Sequence, residues 1–255
     1  MNKIESIYRY PIKGLSGESM TSVVLKAGEV IPGDREYAFA RAGVQFDSDK
    51  PEYLQKTNFL ALVRDEKLAE FDTRFDPESK SLSIFQDRIL ALEADLVDPA
   101  DCLKAAEFFR DYLAILPDNC PSLVRATGGT TGHSFSDVPN KAISLINLKS
   151  VSEFGEKISA AVDPIRFRGN INFEGDEAWQ EFDWLDRDLR IGEVILRAFK
   201  RTQRCAATMV NPDTAERDIN VPKKLHENYA HMDMGIYTEV IAGGEIKCGD
   251  EIELI

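Results

Sequence analysis

The chain has 255 residues, 43% apolar and 29% charged, with 14 Phe, which is enough to build one large or two small hydrophobic cores. Its formal charge of −13 gives a surface that repels a phosphate backbone, so nucleic acid is excluded as a default partner. An anionic ligand would have to be held by Arg and Lys gathered locally against that field.

No apolar run reaches the length of a membrane span, and the first 14 residues lack the apolar core of a signal peptide, so no membrane partner and a cytoplasmic location are expected. The four cysteines, Cys102, Cys120, Cys205 and Cys248, lie far apart with no CxxC pair, which argues against a structural zinc or iron–sulfur site.

In chain order, 4–10 reads as a strand rich in Ile and Tyr, broken by Tyr-Pro-Ile-Lys-Gly at 10–14. A second strand is expected over 18–25. Gly33-Asp34 marks a turn before a third at 36–40. Residues 53–63 fit either a strand or a short helix. Residues 71–75 and 81–86 bracket an Asp-Pro turn and suggest a hairpin. The spacing of Leu103, Ala106, Phe109 and Leu113 predicts a helix over 101–115, with Asp101 as N-cap.

Residues 127–137 form a polar, glycine-rich loop suited to a boundary or a site rim. A buried strand at 142–146 and a helix over 148–161, stopped by Asp163-Pro164, follow. Short β-like runs are then expected at 165–173, 188–191, 194–199, 206–210, 237–241 and 251–255. That density of short strands favours a barrel or sandwich: a mainly β (α+β) protein with a few covering helices. A division into 1–122 and 123–255 is expected.

Cys205 follows Lys200, Arg201 and Arg204. Positive charge beside a thiol favours the thiolate, the form that ligates metals or attacks electrophiles. Taken alone, the local sequence favours a small core residue in a strand. Lys13 is presented between a proline that fixes the backbone and a glycine that frees it. Arg35 follows Pro-Gly-Asp, where an ordinary turn pair with Asp34 is the alternative. If extended, 166–170 places Arg166, Arg168 and Asn170 on one face, suited to a phosphate or a polar heterocycle, or simply solvated. His133, His226 and His231 show no metal spacing. Gly128-Gly129-Thr130-Thr131-Gly132 lacks the Lys-Ser/Thr of a phosphate loop, and no nucleophile elbow or dinucleotide fingerprint occurs.

Taken in order, these segments resemble the MOSC family, named after the C-terminal domain of molybdenum cofactor sulfurase, in its amidoxime-reducing form. Tyr-Pro-Ile-Lys-Gly with Gly17-Glu18, and Pro-Gly-Asp-Arg at 32–35, are similar to the family's two N-terminal motifs. Phe135-Ser136-Asp137 leading into Ser144-Leu145-Ile146-Asn147 resembles the opening of the MOSC domain. Phe167-Arg168-Gly169-Asn170 resembles Phe-Arg-Pro-Asn. Arg204-Cys205 with Val210-Asn211-Pro212-Asp213-Thr214 resembles Arg-Cys followed by Val-Asp-Pro-Asp-Thr. Met234-Gly235-Ile236-Tyr237 and Lys247-Cys248-Gly249-Asp250 resemble the closing strands.

The resemblance implies a MOSC β-barrel packed with a smaller N-terminal β-rich domain. It implies a molybdenum cofactor (molybdopterin) whose metal is ligated by Cys205, the catalytic sulfur. Lys13, Gly14, Arg35, Arg168 and Asn170 would hold the pterin and its phosphate, with Asn147, Gln203, Arg204 and Tyr237 at further pocket positions. Asn147, Gln203, Gly14 and Gly169 depart from commoner family residues. The implied activity is oxidoreductase: removal of oxygen from small N-hydroxylated substrates. No ferredoxin-like segment follows the last motif, so electrons are expected from a separate ferredoxin- or flavoprotein-type partner. A cofactor or sulfur carrier without turnover, and a thiol enzyme without metal, stay open.

Overall fold

The structure is a computed structural model and describes residues 2–126 and 134–255. The Gly128–Gly132 stretch and His133 lie outside the described residues.

The first half contains strands β1 (Asn2–Arg9), β2 (Glu18–Met20), β3 (Ser22–Leu25), β4 (Tyr37–Ala40), β5 (Phe71–Phe75), β6 (Ser81–Gln86) and β7 (Ile89–Asp95), helix α1 (Pro99–Tyr112) and β8 (Ser122–Arg125). The second half adds β9 (Ile143–Asn147), α2 (Leu148–Ile158), β10 (Ile171–Glu174), β11 (Asp188–Ile191), β12 (Val194–Gln203), α3 (Val221–Tyr229), β13 (Asp233–Ala242), β14 (Gly244–Lys247) and β15 (Glu251–Leu254).

Seven strands close into a barrel in the order β10-β9-β13-β12-β11-β15-β1, sealed by the antiparallel pairing of β1 with β10; β2 hangs on β1. The one parallel pair, β9 with β10, is joined through α2. β12 shows why this closes. Val194, Leu196 and Ala198 point inward and are fully buried, while the intervening residues face out, so one strand lines the core with period two. All five residues of β9 are buried, because Val151 and Phe154 of α2 pack on Ile146 of its outer face.

Beside the barrel stands a second core built on the β4–β8 pair, the three-stranded β5-β6-β7 sheet and α1, where Tyr37, Phe39, Phe71 and Phe109 interlock. β3 pairs with β14, and both pack with β1 on the barrel core, so these first-half strands belong to the barrel.

Several elements differ from the sequence expectation. The run 18–25 is two strands, broken at Thr21, because β2 pairs with β1 while β3 turns to β14. Helix α1 begins two residues early: the Asp98 carboxylate accepts from the amides of Ala100 and Asp101, with Pro99 in the first turn, and Leu103 is exposed. Residues 206–210 form a 3-10 turn, Ala206–Met209, not a strand.

Residues 165–170 are also not extended. Asp163 accepts from the Ile165 amide, Pro164 opens a 3-10 turn over Pro164–Phe167, and Arg168 takes a left-handed conformation with φ of 52°. Asp-Pro therefore starts a turn here but does not stop α2, which already ends at Ile158, where Ser159 takes a left-handed conformation. Arg166, Arg168 and Asn170 accordingly do not share a strand face.

Candidate functional site

The cavity where the two cores meet is assembled from five backbone pieces. The 10–14 loop is pinned when the Lys13 amide donates to Tyr37 O (2.9 Å) beside the Ile12–Tyr37 bridge. At Gly14, with φ of 88°, a Cβ would sit 2.9 Å from Leu60 O, so the loop runs against the 59–63 segment as only glycine permits.

Asp34 fixes the second piece: its buried carboxylate accepts from the Tyr10 amide (2.8 Å), and the Arg35 amide donates to Tyr10 O (2.7 Å). The third, 134–137, follows because the Phe135 amide donates to Arg35 O. The fourth is the Arg168–Asn170 turn, and the fifth is the end of β12 running into Cys205.

These pieces enclose about 850 Å3 of space, mouth included. The lining carries Lys13, Arg35, Lys56, Arg166, Arg168 and Arg204 against one carboxylate, Asp137, among the described residues. In a chain of charge −13, this is the local cationic hollow that an anionic ligand requires.

The cations are not equivalent. Arg204 is a strut: its Nε and one terminal nitrogen donate to Met234 O and the other to Phe167 O, and burial brings its pKa down to about 10, against the opposing pull of Tyr237. Arg166 turns out of the site and pairs with Asp218 (2.8 and 3.0 Å). Arg35 pairs with Asp34 and donates to Arg168 O. Burial opposes its charge, Asp34 outweighs burial, and its pKa is raised.

Lys13 Nζ donates to Phe135 O (2.8 Å) and Asp137 Oδ1 (2.9 Å); burial lowers its pKa and Asp137 resists. Arg168 has no side-chain hydrogen bond or ion pair among the described residues. Burial brings its pKa down to about 10, with Tyr10 opposing and Arg35 adding to the fall.

Cys205 follows β12 by two residues and caps the Ala206–Met209 turn, its carbonyl accepting from the amide (3.0 Å) and hydroxyl (2.9 Å) of Thr208, which sets its backbone. Its Sγ lies 3.3 Å from Lys56 Nζ, and Lys56 Nζ also donates to Asp137 Oδ2 (2.8 Å). Asp137 thus bridges two ammoniums. Burial alone would raise its pKa; Lys13 and Lys56 hold its carboxyl well below the usual range. Tyr237 stands over the same space, stacked on Phe199, its phenol raised chiefly by burial.

Of the residues singled out from the sequence, Lys13, Gly14, Arg35, Arg168, Asn170, Gln203, Arg204, Cys205 and Tyr237 line this one cavity. Asn170 lines it with a side chain already spent: Oδ1 accepts from the Ser144 amide and hydroxyl, and Nδ2 donates to Tyr8 O.

Asn147 does not reach the cavity. Its oxygen caps α2 at the Lys149 amide and its nitrogen donates to Glu177 O and Glu181, a buried lock on the other side of β9. His226 is exposed on α3, and His231 sits among Trp179, Phe182 and Tyr229. Sequence reasoning missed Lys56. It lies 149 positions from Cys205 in a segment with no clear period, and the 3-10 turn Lys56–Asn58 that presents it has no strong sequence signature.

Residues 131–253 match the model of the MOSC domain family. The similarity to the MOSC family thus falls on the C-terminal part of the chain. The chain is 29% identical over 122 residues to mitochondrial amidoxime reducing component 2 of Rattus norvegicus, covering 43% of this chain and 36% of that protein. It is 26% identical over 123 residues to mitochondrial amidoxime-reducing component 1 of Homo sapiens, covering 44% and 36%. The match thus spans little more than a third of either relative's length. The YUAD protein from Bacillus subtilis aligns with 100% of this chain and 96% of its own at 13% identity, with a TM-score of 0.45.

Proposed function

We propose that the cavity holds a molybdenum cofactor with Cys205 Sγ as the protein's ligand to the metal, and that the chain reduces N-hydroxylated small molecules with electrons from a separate donor protein. The observation that carries this is the Cys205 thiol placed in a pocket where Lys13, Arg35, Lys56, Arg168 and Arg204 face one carboxylate, Asp137, among the described residues. The family match supports it, since MOSC domains are associated with the molybdenum cofactor.

The residues fit the group on two counts. Sulfur is a soft donor of the kind molybdenum favours, and among the described residues no three His, Cys, Asp or Glu converge on a metal site. A protein-bound metal here would therefore draw its other ligands from the pterin. In addition, Arg168 lacks an anionic partner and the buried Thr202 hydroxyl has no hydrogen-bond partner among the described residues; both line the cavity. A terminal phosphate would satisfy Arg168 through charge-assisted hydrogen bonds, each contributing roughly 1.5–3 kcal/mol.

When bound, the group supplies a two-electron centre able to accept an oxygen atom. Around it, Arg35 and Arg168 hold the phosphate end, and Lys13 steadies the 134–137 rim through Phe135 O and Asp137. Gln203 and Tyr237 shape the open side where a small substrate enters.

The relatives' names concern amidoximes, and the carry-over to this chain is tested by turnover. Protein loaded with cofactor and given a chemical reductant should convert benzamidoxime to benzamidine. A carrier would bind and release cofactor to an apo-enzyme with no benzamidine formed, and that result would displace the reductase reading.

A further inference from the structure

We propose that Lys56 is a positioning residue for the Cys205 sulfur, aimed by Asp137 across the seam between the two cores. The inference rests on the proposed function only for what the sulfur does next.

Three observations carry it. First, the one hydrogen bond to Cys205 Sγ among the described residues comes from Lys56 Nζ, at 3.3 Å. The Cys205 backbone is already set by Thr208, so the sulfur has one free torsion, and the ammonium is what the thiol finds on the cavity side.

Second, Lys56 does not wander. A lysine stem of four methylenes normally costs side-chain entropy to hold. Here the head is tethered to Asp137 Oδ2 at 2.8 Å, and Asp137 is itself held through Oδ1 by the buried Lys13. The root is tethered too. The Phe59 amide donates to Lys56 O, and the following residues are sewn to β4 through Asn58 O and Arg41, and through Leu60 and Phe39 O.

Third, the contact joins the two parts of the fold. Lys56 belongs to the β4 side and Cys205 to the barrel, so Lys13–Asp137–Lys56–Cys205 is a continuous polar chain across the seam. Positive charge beside the sulfur gives it an anionic partner's welcome before any ligand arrives, and keeps it turned toward the cavity.

A fixed ammonium also sets which reagents the sulfur meets. The test is selective alkylation of the full-length, cofactor-free protein, with Cys205 followed by peptide mass spectrometry. Anionic iodoacetate and neutral iodoacetamide are compared in wild type, Lys56→Met and Lys56→Arg, with exposed Cys248 as the internal control.

Losing one half-buried unit charge a few ångströms from the reacting sulfur should lower the iodoacetate-to-iodoacetamide rate ratio at Cys205 by about fivefold in Lys56→Met. Lys56→Arg should recover most of it, and the ratio at Cys248 should not move. An unchanged ratio in Lys56→Met overturns the proposal. Equal losses in Lys56→Met and Lys56→Arg overturn it as well, since they would mark packing rather than charge. No molybdenum takes part, so this outcome is separate from the fate of the cofactor assignment.

Discussion

The Arg168 guanidinium lies 4.3 Å from the centroid of the Tyr10 ring, and Arg35 lies 5.0 Å from the same ring. Two cations share one aromatic ring, but among the described residues only Arg35 has a carboxylate partner, Asp34. Arg168 is held in place by a ring and a left-handed backbone rather than by an anion, so it is pre-placed for one.

Arg168→Met should therefore separate binding from folding. Removing a partly buried charge that lacks an ionic partner should leave the thermal midpoint of the cofactor-free protein at or above that of wild type. Cofactor retained through gel filtration should fall several-fold. A lowered midpoint with full retention would place Arg168 in the fold and not in the site.

The Arg166–Asp218 pair should matter in the opposite way. Arg166 also donates to Thr208 O and Met209 O, tying the turn after Cys205 to the 164–167 turn. Asp218→Ala strands a buried guanidinium; because Asp218 is a third exposed, the cost should be about 2 kcal/mol, at the low end for a broken buried pair. Urea unfolding checks it through the midpoint at constant slope. No change would mean that water replaces the carboxylate.

Glu181 supplies a pH signature. It is fully buried, and burial raises its pKa above 4.5 against the hydrogen bonds from Asn147, its own backbone and Ser150. A raised folded value means that the protonated form is favoured on folding, so its contribution is present below the unfolded value and lost as pH rises through the folded one. Glu181→Gln should flatten the stability profile above the ordinary carboxylate range, gaining on wild type toward neutral pH. Parallel profiles in denaturant titrations would contradict this.

Much of the site was legible because its residues sit at backbone breaks. Lys13 beside Gly14, Arg35 after Pro-Gly-Asp, and Cys205 at a strand end carry local signals that survive without a structure. The barrel was legible from the density of short strands.

What was hidden depends on contacts distant in sequence. Lys56 finds Cys205 only because residues 58–60 bond to β4. Asn147 looks like a pocket residue by its place in a motif, yet it lies at the end of β9, where the cap of α2 and Glu181 claim both ends of its amide. Gly169 stands where the resemblance leads one to expect proline; here Ile146 Cγ1 would lie 2.3 Å from an added Cβ, so packing against β9 leaves room for nothing larger. Helix α3 went unseen in the sequence; only Val221 and Leu225 of its nine residues are buried, too few to set a visible stripe.

The central claim is that Cys205 supplies the bond between protein and metal. Molybdenum should be quantified by mass spectrometry in wild type and Cys205→Ser, purified side by side from a host that makes the cofactor. Wild type should carry close to one molybdenum per chain, and the serine variant should lose most of it while keeping its circular dichroism. Equal metal in two equally folded proteins would contradict the account.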